Sequence, residues 1–430
     1  MSTTIYKITR HIAVVISLCI SIFYIMEGDF LRSLMNFLLL ICFLYFSVNF
    51  QRKFNLISPS YIFVFIILFG VNSAASCYYT YERILTLAKT GFQDWGDEDF
   101  YIIYFVVTIL SYLVIGIYLK YFCKSYYVDS VEISPTKGNG IYVGMLLGIV
   151  LFHFSGMVDL LIGVLSALII ITALEKRNKG VNVILCILAI FVYSNIFLSR
   201  FQFVQIFLPL IIAFLIKTKL NKRKIHIGTM YLLIIAFLFG VGIYGTISEV
   251  YKLNVVYHNN YDLQAILTSP QHIFYFFERQ LYRVITIWIK LGGYIIYHVR
   301  NHGYYFGLSY IKAFSGILGL PYISLPRISA AYNYSTYAQP GLLAEGYANF
   351  GIIGAVLNIV SVFFLMEFCR IRFIRKKDIS SLMYMVIPFT KILLDGGTFN
   401  SAVAMLIGVA IVNVSNLLTS SQKHYRSLIS

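Results

Sequence analysis

The chemistry this sequence can offer rests on one carboxylate and a small set of cations. Glu345 lies in the stretch GLLAEGYANFGIIG, from Gly341 to Gly354. A carboxylate that enters an apolar helix within its first turns is stabilised by the helix N-terminus. It is then placed to act as a base or to orient a hydroxyl. The glycines around it permit close helix packing. The plainer alternative is an ordinary helix-start Glu with packing glycines. The cations suit an anion. On a helix, His272, Arg279, Arg283 and Lys290 of PQHIFYFFERQLYRVITIWIK fall within a wedge of about 40°. Such a stripe lines a cavity and grips an anionic lipid head such as a diphosphate, or else it snorkels from an interfacial helix to water and lipid phosphates. Arg200 stands in Ser199-Arg200 between two apolar runs with no loop separating them. A guanidinium at that boundary is either functional or a snorkelling residue at a tight hairpin. Arg327, between Pro326 and Ile328, sits on a backbone stiffened by Pro321 and Pro326. Arg holds phosphate bidentately, although an exposed loop Arg is the simpler reading at this position.

The other charged groups read as structural. Lys391 and Asp395 lie one turn apart, as an interfacial ion pair would. His153 and Asp159 flank a short turn. Asp97-Glu98-Asp99 forms a solvated acidic run with nothing at metal-ligand spacing beside it. No GxxxxGK[ST] or GxGxxG occurs, which argues against ATP-driven transport by this chain alone. The six cysteines, Cys19, Cys42, Cys77, Cys123, Cys186 and Cys369, all lie in or beside apolar runs without CxxC spacing. Buried thiols are expected, not disulfides or a metal cage.

The elements that must position these residues follow from composition. Hydrophobic residues make up 59% and charged residues 12%, with a mean hydropathy of +0.79. A soluble domain carries about twice that charge, so lipid is the solvent. In lipid every backbone polar group pairs internally, leaving helices or a closed barrel. Continuous apolar runs select helices. The fold class is therefore all-α: a polytopic membrane protein with about twelve transmembrane helices, one transmembrane domain over 1–430. Spans are expected near 11–26, 31–49, 58–79, 100–122, 141–155, 157–174, 181–198, 201–216, 228–247, 341–366, 381–396 and 401–418. The first is a retained span, since Glu27-Gly28-Asp29 follows it in place of a cleavage site. The net charge of +16 does not indicate nucleic acid. Most of the basic residues cluster in alternate short loops, among them Lys217 to Lys224 and Arg370 to Lys377, while Asp94 to Asp99 occupy the opposite side. By the positive-inside rule both termini are cytoplasmic. One large extracytoplasmic loop, 248–340, is rich in Tyr and Phe and is expected to hold re-entrant or interfacial helices.

The chain resembles the bacterial O-antigen, or oligosaccharide repeat-unit, polymerases of the Wzy type. The resemblance rests on G-x-x-x-E-x-Y-x-N-F-G-x-x-G, here Gly341, Glu345, Tyr347, Asn349, Phe350, Gly351 and Gly354. Ser199-Arg200 opening an apolar run, and one large outer loop late in a many-span chain, add to it. It covers the whole chain in architecture and some fourteen residues as a tight motif. Many of those polymerases carry an Arg near the last two spans, where this chain has Asp395-Gly396-Gly397, so no role transfers there.

The resemblance implies a metal-independent glycosyltransferase of the bacterial plasma (inner) membrane, without a cofactor. It would move a growing glycan from polyprenyl diphosphate onto a lipid-linked repeat unit on the outer face. Donor and acceptor are then both polyprenyl-diphosphate-linked oligosaccharides. Membrane lipids are further partners, a chain-length regulator protein is an optional one, and nucleic acid is not one. Arg200, Arg279, Arg283 and Arg327 would neutralise the diphosphate, and Glu345 would act on the acceptor hydroxyl. His258, His272, His298 and His302 are reserve bases. The competing readings are an O-antigen ligase and a flippase of the lipid-linked unit. A flippase predicts mid-membrane charges or two similar halves, and neither is evident. A non-catalytic scaffold or chain-length regulator predicts few spans and a long helical outer domain.

Overall fold

In the computed structural model, the described residues are 2–54, 58–73, 75, 98–123, 262–269, 291–311, 321–332, 341–376, 379–395 and 406–414, with single positions between 163 and 254 and at 271, 289 and 403. Helix dominates them, and no strand element occurs among them. The chain divides into two compact units. One comprises Met1–Val131, Ile285–Arg375 and Lys391–Val403; the other comprises Glu132–Val284, Lys376–Thr390 and Ala404–Ser430.

The first unit begins with the helix Ser2–Met26 and the helix Phe30–Lys53. The turn between them follows from three residues. Gly28 adopts φ +76, which a Cβ would penalise. Its N–H bonds Ile25 O at 3.1 Å and that of Asp29 bonds Tyr24 O at 2.8 Å, the paired bonds of a Schellman ending. Asp29 then caps the second helix, accepting from Arg32 N at 3.0 Å, and its carboxylate pairs with the Arg32 guanidinium at 3.3 Å. The two helices face each other with their polar side chains. Asn36 Nδ2 reaches Ser17 O at 2.8 Å and Ser21 Oγ at 2.9 Å. Outward stand Val15, Leu18, Ile22, Leu31 and Leu34. Apolar outside and polar inside is the arrangement lipid selects.

A third helical segment starts at Pro59, whose fixed φ suits a first helical position. It passes into π-helical geometry over Val64–Gly70. Tyr61 is its anchor: the hydroxyl meets Thr9 Oγ1 at 2.6 Å and Ser47 Oγ at 2.8 Å, and the ring packs edge-on to Tyr6 at 4.5 Å. The helix Glu98–Ile117 continues as a π turn, Tyr118–Phe122. Asn72 Nδ2 ties the third segment to this helix through Thr108 Oγ1 at 2.9 Å. Later come Leu325–Tyr332, the long helix Leu342–Lys376, and Ile379–Asp395 with Pro388 inside it. The second unit includes the short helix Leu263–Thr268, capped by Asp262 through Gln264 N at 2.8 Å; Ile266 is buried there with Val250.

Among the described residues, four helices are long and apolar enough to cross a membrane: Tyr6–Met26, Phe30–Lys53, Phe100–Phe122 and Leu342–Arg375. They coincide with the spans expected near 11–26, 31–49, 100–122 and 341–366. The apolar helix Pro59–Ser73 is shorter. Helix is also described within 381–396 and over 406–414. The spans expected between 141 and 247 lie outside the described residues, single positions excepted.

Two expectations need correction. The segment near 341–366 is not one straight helix. Phe350 (φ −144, ψ 25) and Gly351 (φ 64, ψ −150) are non-helical within it. Arg370, counted above among loop cations, is instead buried inside the helix at 1% exposure, because Glu367 one turn earlier neutralises it.

Candidate functional site

The break at Phe350-Gly351 folds the motif back on itself. Asn358 Nδ2 donates to Leu342 O at 3.1 Å, although sixteen residues separate them. A Cβ on Gly346 would lie 2.6 Å from Ala355 Cα and closer still to the Gly354 carbonyl. Residues 342–349 therefore form a short arm running antiparallel to the helix that starts at 352. Each motif glycine has its own reason. Gly341 enters the arm at φ +89 and Gly351 makes the reversal at φ +64; with ψ −150 the latter lies in a region nearly exclusive to glycine. Gly346 and Gly354 let the two backbones touch.

The C-terminal end of the short arm, beside the reversal, is closed by residues 303–310, called here the strap. Tyr305 N donates to Ala348 O at 2.9 Å and Phe306 N to Asn349 O at 3.2 Å. Gly307 N donates to Asn349 Oδ1 at 2.9 Å. These bonds satisfy carbonyls that a helix end leaves open. The strap bends through Gly303 and Gly307, both at positive φ, and through Phe306 at φ 47, which is uncommon for a bulky residue.

Glu345 sits in the first turn of the short arm and is completely buried, as is Asn349 one turn further on. Asn349 Nδ2 donates to Glu345 O at 2.8 Å and to Ser309 Oγ at 2.7 Å. The Tyr310 hydroxyl donates to Asn358 Oδ1 at 2.8 Å. Burial, and next the charge of Glu345, push the Tyr310 phenol well above its ordinary pKa. A carboxylate and a protonated phenol thus share a protein interior where electrostatic interactions are strong.

Among the other residues singled out from the sequence, Arg327 is exposed, and it lies in the helix Leu325–Tyr332, not in a loop. His298 and His302 lie one turn apart on the helical stretch 291–302, with rings stacked at 4.1 Å. His302 Nδ1 lies 2.8 Å from His298 O. Burial and the neighbouring His302 lower the His298 pKa, which favours its neutral imidazole form. Arg200, Arg279, Arg283, His258 and His272 lie outside the described residues, as do His153, Asp159 and Asp97, whereas Glu98 and Asp99 open the helix Glu98–Ile117.

A second buried charge cluster was not anticipated. Arg370 Nη2 meets Glu367 Oε2 at 2.6 Å and its Nε lies 3.1 Å from both carboxylate oxygens. Glu367 Oε1 also accepts from Ser60 Oγ and, at 3.3 Å, from Ser58 Oγ. The guanidinium lies 3.7 Å from the centre of the Phe54 ring. The carboxylate therefore lies beside the start of the helix beginning at Pro59, bound through the side-chain hydroxyls of Ser58 and Ser60. The signal for it was Glu367 three residues before Arg370 at the end of an apolar run. Tyr310 and Asn358 also escaped notice as polar residues on apolar segments, and Asn349, named in the motif, carried no assigned role.

Long apolar helices with buried polar contacts and a broken, glycine-lined segment place the chain among helical proteins built to the pattern of a membrane. Over residues 1–422 it matches the family described as "Family of unknown function (DUF6032)", and it belongs to that family. No curated protein and no solved structure matches it.

Proposed function

We propose that this protein is a polymerase of lipid-linked oligosaccharide repeat units. In this reading it has about twelve spans, cytoplasmic termini and the 248–340 loop outside, in a bacterial plasma membrane. The observation that carries the reading is a completely buried carboxylate, Glu345, on the glycine-lined hairpin formed by the polymerase-like motif. Intramembrane and buried ionisable groups are costly and mark function.

The reaction joins the acceptor's hydroxyl oxygen to the donor's anomeric carbon as the bond from that carbon to the diphosphate oxygen breaks. Glu345 takes the hydroxyl proton, and polyprenyl diphosphate leaves as the anion. Arg200, Arg279, Arg283 and the exposed Arg327 neutralise the charge that develops on it. With arginines in that role, no metal is required. The test is turnover of a defined lipid-linked repeat unit by the purified protein. Polymer on the lipid carrier supports the proposal; no elongation overturns it. Deleting the gene separates the neighbouring activities. Single-repeat surface glycan marks a polymerase, lipid-linked polymer without surface glycan marks a ligase, and single repeats trapped inside mark a flippase.

A further inference from the structure

We propose that Asn349 is the positioning residue for Glu345, clamping the 303–310 strap onto the hairpin and so keeping the carboxylate enclosed beside Tyr310; the catalytic meaning of this rests on the glycosyl transfer proposed above. Both ends of its amide are engaged. Oδ1 accepts from Gly307 N at 2.9 Å. Nδ2 donates to Ser309 Oγ at 2.7 Å and to Glu345 O at 2.8 Å. Its main-chain carbonyl accepts from Phe306 N at 3.2 Å. One completely buried residue thus joins the strap to the helical turn that carries Glu345.

No other side chain substitutes for it. Aspartate retains the acceptor but loses the donors and adds a charge. Glutamine adds a methylene to a filled site. Alanine abandons all three side-chain bonds, those with the Gly307 N–H, Ser309 Oγ and Glu345 O. The strap has its own reason to leave, because Phe306 at φ 47 is a conformation that persists only where the surroundings hold it. Tyr310 follows directly after Ser309, and its hydroxyl reaches Asn358 on the opposite arm. Releasing Asn349 therefore loosens the residue whose phenol senses the Glu345 charge.

Glu345 is enclosed in this arrangement, so its exposure reports the clamp directly and without turnover. The purified full-length protein is treated with a carbodiimide, and modification of Glu345 is followed by mass spectrometry. Asn349→Ala should raise the modification rate by about tenfold or more, the effect of losing its two side-chain bonds to the strap on a local opening equilibrium. Ser309→Ala, which removes the bond from Asn349 Nδ2 and spares the hairpin, should give a smaller increase. Unchanged modification in both variants overturns the proposal. If Asn349→Ala does not fold, Ser309→Ala decides alone. The second readout is the pH profile of turnover. Asn349→Asp should lower kcat more than it changes KM, and should move the rising limb to higher pH, since a nearby negative charge raises a carboxyl pKa. A role in folding alone would lower the yield of active protein and leave that limb in place. If the wild-type protein turns over no lipid-linked unit, the polymerase reading fails while the modification experiment still decides the clamp.

Discussion

Glu345 and Glu367 lie on the same long segment, and both are buried at 1% exposure or less, yet their surroundings suit different tasks. Both oxygens of Glu367 are occupied by Arg370, Ser58 and Ser60. Removing Arg370 leaves that carboxylate buried and unneutralised, at a cost of roughly 3–5 kcal/mol. Arg370→Ala should therefore lower the melting temperature of the detergent-solubilised protein strongly. The double variant Glu367→Leu with Arg370→Met removes both charges and should lie closer to wild type. A double variant as unstable as the single one would mean that packing against Phe54, not charge, is what matters. Glu345 is the group assigned to the acceptor hydroxyl. Glu345→Gln keeps the shape and removes the base, so turnover should fall by about 100- to 10,000-fold with protein level unchanged. Normal polymer from this variant would reduce Glu345 to a helix-start residue. Glu345 was legible because a lone carboxylate interrupts an apolar run. Arg370 was misread because a basic residue at the end of such a run normally marks the loop, and only its spacing from Glu367 distinguishes the two cases.

The hairpin shows why periodicity alone misses a reversal. Residues 342–349 and those after 352 are each helical, so a window across them reads as one span. Phe350 and Gly351 carry no proline or polar turn chemistry to mark the break. The informative feature was the glycine spacing. Gly341, Gly346 and Gly351 step by five residues, about 140° each, and so share no helix face. Glycines that do not line one face serve separate local needs, here entry, contact and reversal. Gly346→Ala drives a Cβ into the backbone of Gly354 and Ala355, and the arms must separate. Gly351→Ala strains the turn by roughly 1–3 kcal/mol and meets the Tyr304 hydroxyl at 3.2 Å. Both variants should lose most polymerising activity and melt earlier in detergent. Gly116→Ala is the control: its Cβ would meet nothing within 4 Å, and in mid-helix it should be neutral or slightly stabilising. Equal damage from all three would show that helix propensity, not the hairpin, governs the effect.

At the scale of the whole molecule, composition carried most of what could be read in advance. Long apolar runs mark spans because lipid leaves the backbone no alternative to helix, and the four long helices lie where those runs lie. The inverted polarity of the N-terminal pair, with Asn36 and Ser17 inside and Leu18 and Leu31 outside, was less legible, since an isolated Asn or Ser in a span does not reveal which face it occupies. Charge supplies the handedness across the membrane. If lysine and arginine clusters mark the cytoplasmic side, position 421 is inside and position 260 outside. In a background with the native cysteines replaced, Asn260→Cys should react with an impermeant maleimide on intact cells, and Ser421→Cys should react only after lysis. The reverse pattern would place the Glu345 hairpin at the wrong end of its span for a substrate delivered outside. The same orientation governs what must neutralise the leaving diphosphate. With arginines in that role, turnover of a lipid-linked repeat unit should persist in excess EDTA. Loss of turnover in EDTA that Mg²⁺ or Mn²⁺ restores would transfer the charge-neutralising role from the arginines to a bound cation. Persistence in EDTA, together with loss in Arg279→Ala or Arg283→Ala, would leave the guanidinium groups as the agents that let the diphosphate depart.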